Sequence, residues 1–258
     1  MKTKLAVLLI IMSFGLTTAQ VRLGLKLGIM ATDVNMKAAS NASDLEMPTS
    51  RTLNFSGGVT LEYEFMKDLM GVRTAVEYAQ KGYNVDLNQF KQKYNNIKSI
   101  AGDWKVALQY IQVPVSLYYN AFNGLNVNAG AYLGYALGGM EKYNLDIVFN
   151  DNSTLSLDDT QNMIPVNGQA PIDLNDIQNQ DTPLLRYFNQ LDLGFTVGFG
   201  YSIKNIYLNV QYQQGLTNLT PDLANEPNFN PSDLLARNNV ISIGITYYIP
   251  LTRHGQGL

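Results

Sequence analysis

The chain has 258 residues, a formal net charge of −3 and no cysteine. Mild acidity offers no footprint for nucleic acid, and the missing thiol excludes disulfides, thiol nucleophiles and cysteine-ligated metals. Sixteen Tyr and twenty-one Gly point instead to closely packed β-structure.

Lys2 and Lys4 precede an apolar run over 5–16, and Thr17-Thr18-Ala19 then forms a small-residue cleavage site before Gln20. This predicts a signal peptide over 1–19 that is removed on export. Its apolar core is short for a spanning helix, which needs roughly 20 residues. After it the first strand, 21–29, sets Val21, Leu23, Leu25, Leu27 and Ile29 on one face and Arg22, Gly24, Lys26 and Gly28 on the other. The period of two is that of a two-faced strand.

The same alternation returns over 53–65, where Phe55, Val59, Leu61, Tyr63 and Phe65 oppose Asn54, Ser56, Thr60, Glu62 and Glu64. After three residues it restarts at Leu69, with Val72, Val76 and Tyr78 opposite Arg73, Ala75, Glu77 and Ala79. A fourth strand, 108–120, aligns Ile111, Val113, Val115, Leu117 and Tyr119, and a fifth covers 125–137. The sixth, 190–203, alternates without a break, and 206–213 and 239–249 complete the set. Thirteen alternating residues exceed the usual soluble strand of about five or six and match the roughly 9–11 tilted residues that cross a bilayer.

Connections alternate long and short: 30–52, 66–68, 82–105, 121–124, 138–189, 204–205 and 215–238. Short periplasmic turns and long extracellular loops are the mark of a transmembrane barrel. The expected fold is therefore all-β: an eight-stranded antiparallel up-and-down transmembrane β-barrel over 20–250, with 251–258 as a periplasmic tail. The first strand runs outward. Tyr63, Phe65, Tyr119, Phe199, Tyr201 and Tyr247 then fall at the periplasmic interface, and Tyr78, Tyr135 and Tyr212 at the outer one, as aromatic girdles require.

A soluble barrel would turn its polar face to water and crowd it with Lys and Glu. Here the polar faces carry Gly, Ser, Thr, Asn and Gln, with nearly balanced charges: Arg22, Lys26, Arg73 and Lys81 against Glu62, Glu64, Glu77 and Asp192. These eight are assigned to the lumen as cross-barrel pairs, and a lumen so filled should conduct poorly.

The spacings Gly194-x-x-x-Gly198 and Gly130-x-x-x-Gly134 lie on the polar parity of strands, so they mark curvature and room for bulky lumen neighbours rather than helix packing. Pro114 lacks a ladder donor and predicts a bulge. The single histidine, His254, lies in the tail, away from any nucleophile it could activate. The long connection 138–189 is acidic without the spacing of a calcium loop. Its start, 143–149, still alternates and suggests a hairpin beyond the membrane. Ser232 to Arg237 reads as a short capped helix. No catalytic, cofactor-binding or metal-ligating set emerges.

Several segments together resemble the PorT-like outer-membrane barrels of Bacteroidetes. They are Glu77-Tyr78-Ala79-Gln80-Lys81-Gly82, Gln109-Tyr110-Ile111-Gln112-Val113-Pro114, Gly130-Ala131-Tyr132-Leu133-Gly134-Tyr135, 193–200, 211–219 and 238–244. The resemblance implies an outer-membrane location, lipid and lipopolysaccharide as surroundings, and barrel-assembly machinery as a partner during insertion. It also accounts for Pro114. The family's namesake serves type IX secretion, but many look-alikes have no known role. Such barrels usually end on an aromatic residue, whereas here eight residues follow Pro250. The expected function is a non-enzymatic barrel, structural or binding a ligand or partner through its outer loops. The alternative is an accessory of secretion or envelope biogenesis, and behind it a small pore or a lipid-modifying enzyme.

Overall fold

The computed structural model describes residues 20–38, 46–122, 124–170, 187–223 and 234–250. The expected signal peptide, Ser232 and Asp233, and the tail with His254 lie outside the described residues. In chain order the elements are β1 (Gln20–Ala38), β2 (Thr49–Ser50), β3 (Thr52–Met66), β4 (Met70–Val85), α1 (Leu87–Lys93), β5 (Ile97–Phe122) and β6 (Leu125–Phe149). There follow β7 (Thr154–Val166), β8 (Gln169–Ala170), β9 (Tyr187–Asn189), β10 (Leu191–Ile203), β11 (Ile206–Gly215), β12 (Asp222–Leu223) and β13 (Leu234–Pro250).

Eight strands form a closed antiparallel ring in the order β1, β3, β4, β5, β6, β10, β11, β13. Pairing of β13 with β1 shuts it at Leu25 opposite Tyr247, and β6 pairs with β10 at Tyr135 opposite Leu191. Closure removes the free edges that an open sheet would expose. Three short connections sit at one rim, between β3 and β4, β5 and β6, and β10 and β11. All three turn through residues at positive φ, Asp68 (58°), Gly124 (92°) and Lys204 (54°).

The outer surface of the ring is a continuous apolar belt. Leu27 is 66% exposed, Leu53 72% and Ile243 66%, values that make sense only against lipid. On β5 the belt runs from Ile111 to Tyr119. Nine residues at about 3.3 Å, tilted 35–45°, span roughly 23 Å, close to the apolar band of about 25 Å of such barrels.

Above the belt the alternation inverts its phase. On β1, Leu25, Leu27 and Ile29 face outward, whereas beyond them Met30 and Val34 face inward and are buried. On β4 the change comes after Tyr78, where Tyr83 and Val85 turn inward; on β5, Val106, Leu108 and Tyr110 are inward and Ile111 outward. Once the wall leaves the lipid its exterior meets water, so the apolar residues move inside. There Val34, Tyr83, Val85, Val106, Leu108, Tyr110, Ala136, Met163 and Phe188 form an apolar core across the outer mouth.

This inversion explains where the sequence-based boundaries fall short. The connection expected over 82–105 contains the end of β4, the helix α1 capped by Asp86, and the start of β5. The connection expected over 138–189 contains the rest of β6, then β7 and β9. Together β5, β6 and β7 rise above the belt as a three-stranded sheet, with Leu145 opposite both Gly102 and Leu157. Leu234 to Arg237, expected as helix, are strand, since pairing with β1 reaches Leu234 opposite Ala38.

The bulge expected at Pro114 is also absent. Pairing of β4 with β5 keeps one register from Thr74 opposite Val115 to Glu77 opposite Gln112 and skips the two positions between. The missing N–H is thus absorbed as a gap in the ladder, without an inserted residue. The irregularity lies elsewhere: Gln109 faces Gly138 and Tyr110 faces Ala136, so Leu137 is the extra residue and the inward parity of β6 switches from even to odd.

Candidate functional site

The lumen is the most ordered chemistry among the described residues, and β4 is its spine. Arg73, Glu77 and Lys81 recur every four residues on its inward face, roughly 13 Å apart along the strand. Each meets an opposite charge from a different strand. Arg73 pairs with Glu62 of β3 at 2.7 Å, Glu77 with Lys26 of β1 at 2.8 Å, and Lys81 with Asp192 of β10 at 2.8 Å.

The tier nearest the short turns centres on Glu62, whose side chain is fully enclosed. It accepts from both Arg22 and Arg73 and from the Tyr118 hydroxyl at 3.0 Å. The Arg73 guanidinium lies 3.9 Å from the Tyr207 ring and 4.9 Å from that of Tyr118, and Arg22 lies 5.0 Å over Tyr248. Glu64 is also inward and buried, and it accepts the backbone N–H of Asp68 in the β3–β4 turn at 2.8 Å. This tier is therefore tied to the rim below it.

In the middle tier Gln112 donates to Glu77 at 3.2 Å and to Gln213 at 3.3 Å, linking β5 with β4 and β11. In the outer tier Asp192 accepts from Lys81 and from Asn238, each at 2.8 Å, and from the Tyr132 hydroxyl at 3.3 Å. Lys81 and Asp192 have no exposed side-chain surface, and the ammonium lies 4.2 Å from the Tyr132 ring. A charge this enclosed is tolerable only when paired and hydrogen-bonded. Above this tier stands the apolar core of the mouth.

The structure thus brings Arg22, Lys26, Glu62, Glu64, Arg73, Glu77, Lys81 and Asp192 to one interior. The space between them is filled by tyrosines, Tyr110, Tyr118, Tyr132, Tyr207 and Tyr248, all 2% exposed or less; the sequence placed Tyr132 on the polar parity beside the glycines, and the other four were passed over. Their inward parity was the available signal. Several stand against glycines: Tyr118 is register partner of Gly71, Tyr132 of Gly194 and Tyr248 of Gly24. A Cβ at Gly194 would lie 2.5 Å from the Tyr132 ring, so the ring covers the space a side chain would need. What remains open includes a cavity of about 20 Å³ between Lys26, Arg73, Ser116 and Asn209, room for about one water.

The girdle aromatics lie on the outer surface. Tyr119, Tyr135, Phe199, Tyr201 and Tyr247 are exposed. Tyr63, Phe65, Tyr78 and Tyr212 are half-buried against neighbouring side chains, with Tyr63 and Phe65 ring centroids 6.5 Å apart and Phe55 and Tyr78 5.6 Å apart. Among the described residues no cluster of three His, Cys, Asp or Glu side chains could hold a metal ion, and no helix is long and apolar enough to cross a membrane.

A family model described as outer membrane protein beta-barrel domain matches residues 17–220. No curated protein matches the chain. Similar solved structures include Neisserial surface protein A, at 13% identity over 87% of this chain and 96% of that one, with a TM-score of 0.36. Ail, the attachment invasion locus protein of Yersinia pestis, shares 11% identity over 88% of this chain and 98% of its own, with a TM-score of 0.39. OprG of Pseudomonas aeruginosa shares 12% over 90% and 95%, with a TM-score of 0.33.

Proposed function

Since the chain belongs to the outer membrane protein beta-barrel domain family, we propose that it is a non-enzymatic barrel, sealed to ions and solutes, that holds a rigid sheet above the membrane for a ligand or partner. The observation that carries the proposal is the lumen: four ion pairs at three levels, with aromatic rings between them and an apolar core over the mouth. Moving an ion through would require unpairing buried charges, each rupture costing about 3–5 kcal/mol. A wall this rigid is a pedestal, and the three-stranded sheet of β5, β6 and β7 is what it presents.

The test is conductance of the purified barrel in planar bilayers together with complementation of a deletion strain. The expected outcome is no stable open channel, and no rescue by a protein whose β6–β7 hairpin is replaced by a short Gly-Ser turn. A steady single-channel current from the parent protein, or full rescue by the hairpin-less one, would reverse the proposal.

The second reading is an accessory role in secretion or envelope biogenesis, favoured by the PorT-like segments. Several of the residues that carry that likeness build the interior: Glu77, Lys81 and Gln112 are plug residues, and Gly194 makes room for Tyr132. They account for a shared architecture and leave the shared role to be tested. A deletion strain with an unchanged secreted proteome would remove it.

A further inference from the structure

The cations of the lumen differ from two arginines of the outer wall. Arg22, Lys26, Arg73 and Lys81 in the lumen are each paired with a carboxylate. Arg51 and Arg237, on the outer wall, have no carboxylate partner among the described residues, and their surroundings are ordered all the same.

Their level on the wall is fixed by the belt. Leu53 is the last outward apolar residue of β3, and Arg51 follows two residues on, on the same face. On β13 the outward residues Ile243 and Ile241 give way to Asn239 and then Arg237. Thr32 pairs with Thr52 and Asp33 with Asn239, so Arg51, Asp33 and Asn239 form a row across three strands immediately above the belt. In the outer leaflet this is the level of lipid headgroups.

The row is held by a hydrogen-bonded network. Arg51 donates to Asn239 Oδ1 at 3.1 Å; Asn239 Nδ2 donates to the Tyr212 hydroxyl at 2.8 Å and to Gln214 Oε1 at 3.0 Å; and Tyr212 donates to Gln214 at 2.8 Å. Both N–H groups of the Asn239 amide are thereby used, and the other donors of Arg51, an exposed residue, remain available. Arg237, two residues along β13 on the same face, has an enclosed Nε without an acceptor. The carboxylate in the same row, Asp33, accepts through one oxygen from its own neighbour, the Val34 N–H, at 2.8 Å.

From this placement we propose that Arg51 and Arg237, with Arg51 positioned by Asn239, Tyr212 and Gln214, form a binding site on the outer wall for a phosphate group of lipopolysaccharide. Guanidinium forks match phosphate oxygens in pairs, and their fixed orientation lowers the entropy lost on binding. Two arginines without an ion pair among the described residues, above an apolar wall, fit an amphiphile whose chains lie against Leu53, Phe55 and Ile243 and whose phosphate lies above them. The inference rests on the barrel's place in the outer membrane and is independent of whether the lumen conducts.

The test is titration of the full-length barrel in detergent with lipopolysaccharide and with the same glycolipid after enzymatic dephosphorylation. Arg51→Gln/Arg237→Gln should bind lipopolysaccharide roughly tenfold more weakly. Lys67→Gln/Lys204→Gln, which removes the same charge at the opposite rim, should bind as the parent does. Dephosphorylation should bring parent and arginine variant to the same weak affinity. Equal affinity of parent and arginine variant for intact lipopolysaccharide, with the variant shown to be folded by its heat-dependent gel mobility, would overturn the site. If that variant does not fold, the parent alone decides: equal binding of intact and dephosphorylated glycolipid overturns the proposal, and a salt-sensitive preference for the intact form supports it.

Discussion

Replacing Asp192 by Asn keeps the shape of the outer tier and removes only its negative charge. Lys81, with no exposed side-chain surface, would then hold an unpaired ammonium between Tyr132 and Tyr110. Breaking a buried pair from one side costs about 3–5 kcal/mol. The two ring faces, at 4.2 and 5.3 Å, still attract the ammonium, by about 0.5–2 kcal/mol each. The expected loss for Asp192→Asn is therefore near the lower end, about 3 kcal/mol, a large share of a typical folding free energy of about 5–15 kcal/mol. Lys81→Met/Asp192→Asn should regain at least about 2 kcal/mol of that loss, because Asn can still accept from Asn238 and Tyr132 and no charge is stranded. The assay is urea unfolding of the barrel in lipid vesicles, followed by heat-dependent gel mobility and by fluorescence of Trp104, which lies outside the lumen in the outer sheet. A single-variant loss below about 1 kcal/mol, with the two substitutions additive, would mean that water reaches the pair and that the sealed-lumen argument is wrong.

Gly194→Ala sets a Cβ 2.5 Å from the Tyr132 ring and against the Gln214 carbonyl, and should cost about 1–3 kcal/mol by overpacking; an unchanged urea midpoint would refute the close approach. Leu27→Arg places a charge within the belt and should cost about 2–4 kcal/mol, whereas Leu53→Arg at its upper edge should cost about 0–1; the reverse order would misplace the membrane boundary. At the tip of the β6–β7 hairpin, the Ser153 hydroxyl (2.6 Å) and N–H (2.9 Å) hold the Asp151 carboxyl below its ordinary range. The folded value is depressed, so the turn is favoured above the unfolded carboxylate value and loses that support as pH falls through the folded one. Ser153→Ala should move the Asp151 titration, read by carboxyl carbon NMR, upward toward the ordinary range, and an unmoved titration would refute the contact.

The strands that lie within lipid were legible because lipid demands uniform alternation: every outward residue from Leu25 to Ile29 is apolar, and so is every one from Ile111 to Leu117. The same rule hid what lies above. Where Met30, Val34, Tyr83 and Val106 turn inward, the period of two survives but its phase is reversed, and the stretch between reads as irregular. The parity switch at Leu137 adds a second discontinuity, which is why β6 reads as ending at 137 while it continues to Phe149. Within the lumen the charged residues stood out by type. Apart from Tyr132, the tyrosines did not, because a tyrosine on the inward parity looks in sequence like one in the girdle, and Tyr118 and Tyr119 are adjacent residues with opposite surroundings.

These observations converge on β4. Its inward face runs Arg73, Glu77, Lys81, Tyr83, Val85 from the periplasmic rim outward, so one strand passes from paired charge to apolar packing as it leaves the membrane. The order has a physical basis. A lumen enclosed by lipid can hold charges if each is paired with its opposite, and the pairing along β4 achieves that for Arg73, Glu77 and Lys81. Above the membrane the wall itself is wet outside, and apolar residues inside are the less costly way to close the mouth. A barrel that conducted would need the opposite order, polar at the mouth and unpaired below, so the direction of this gradient argues for closure as strongly as any one of the four pairs.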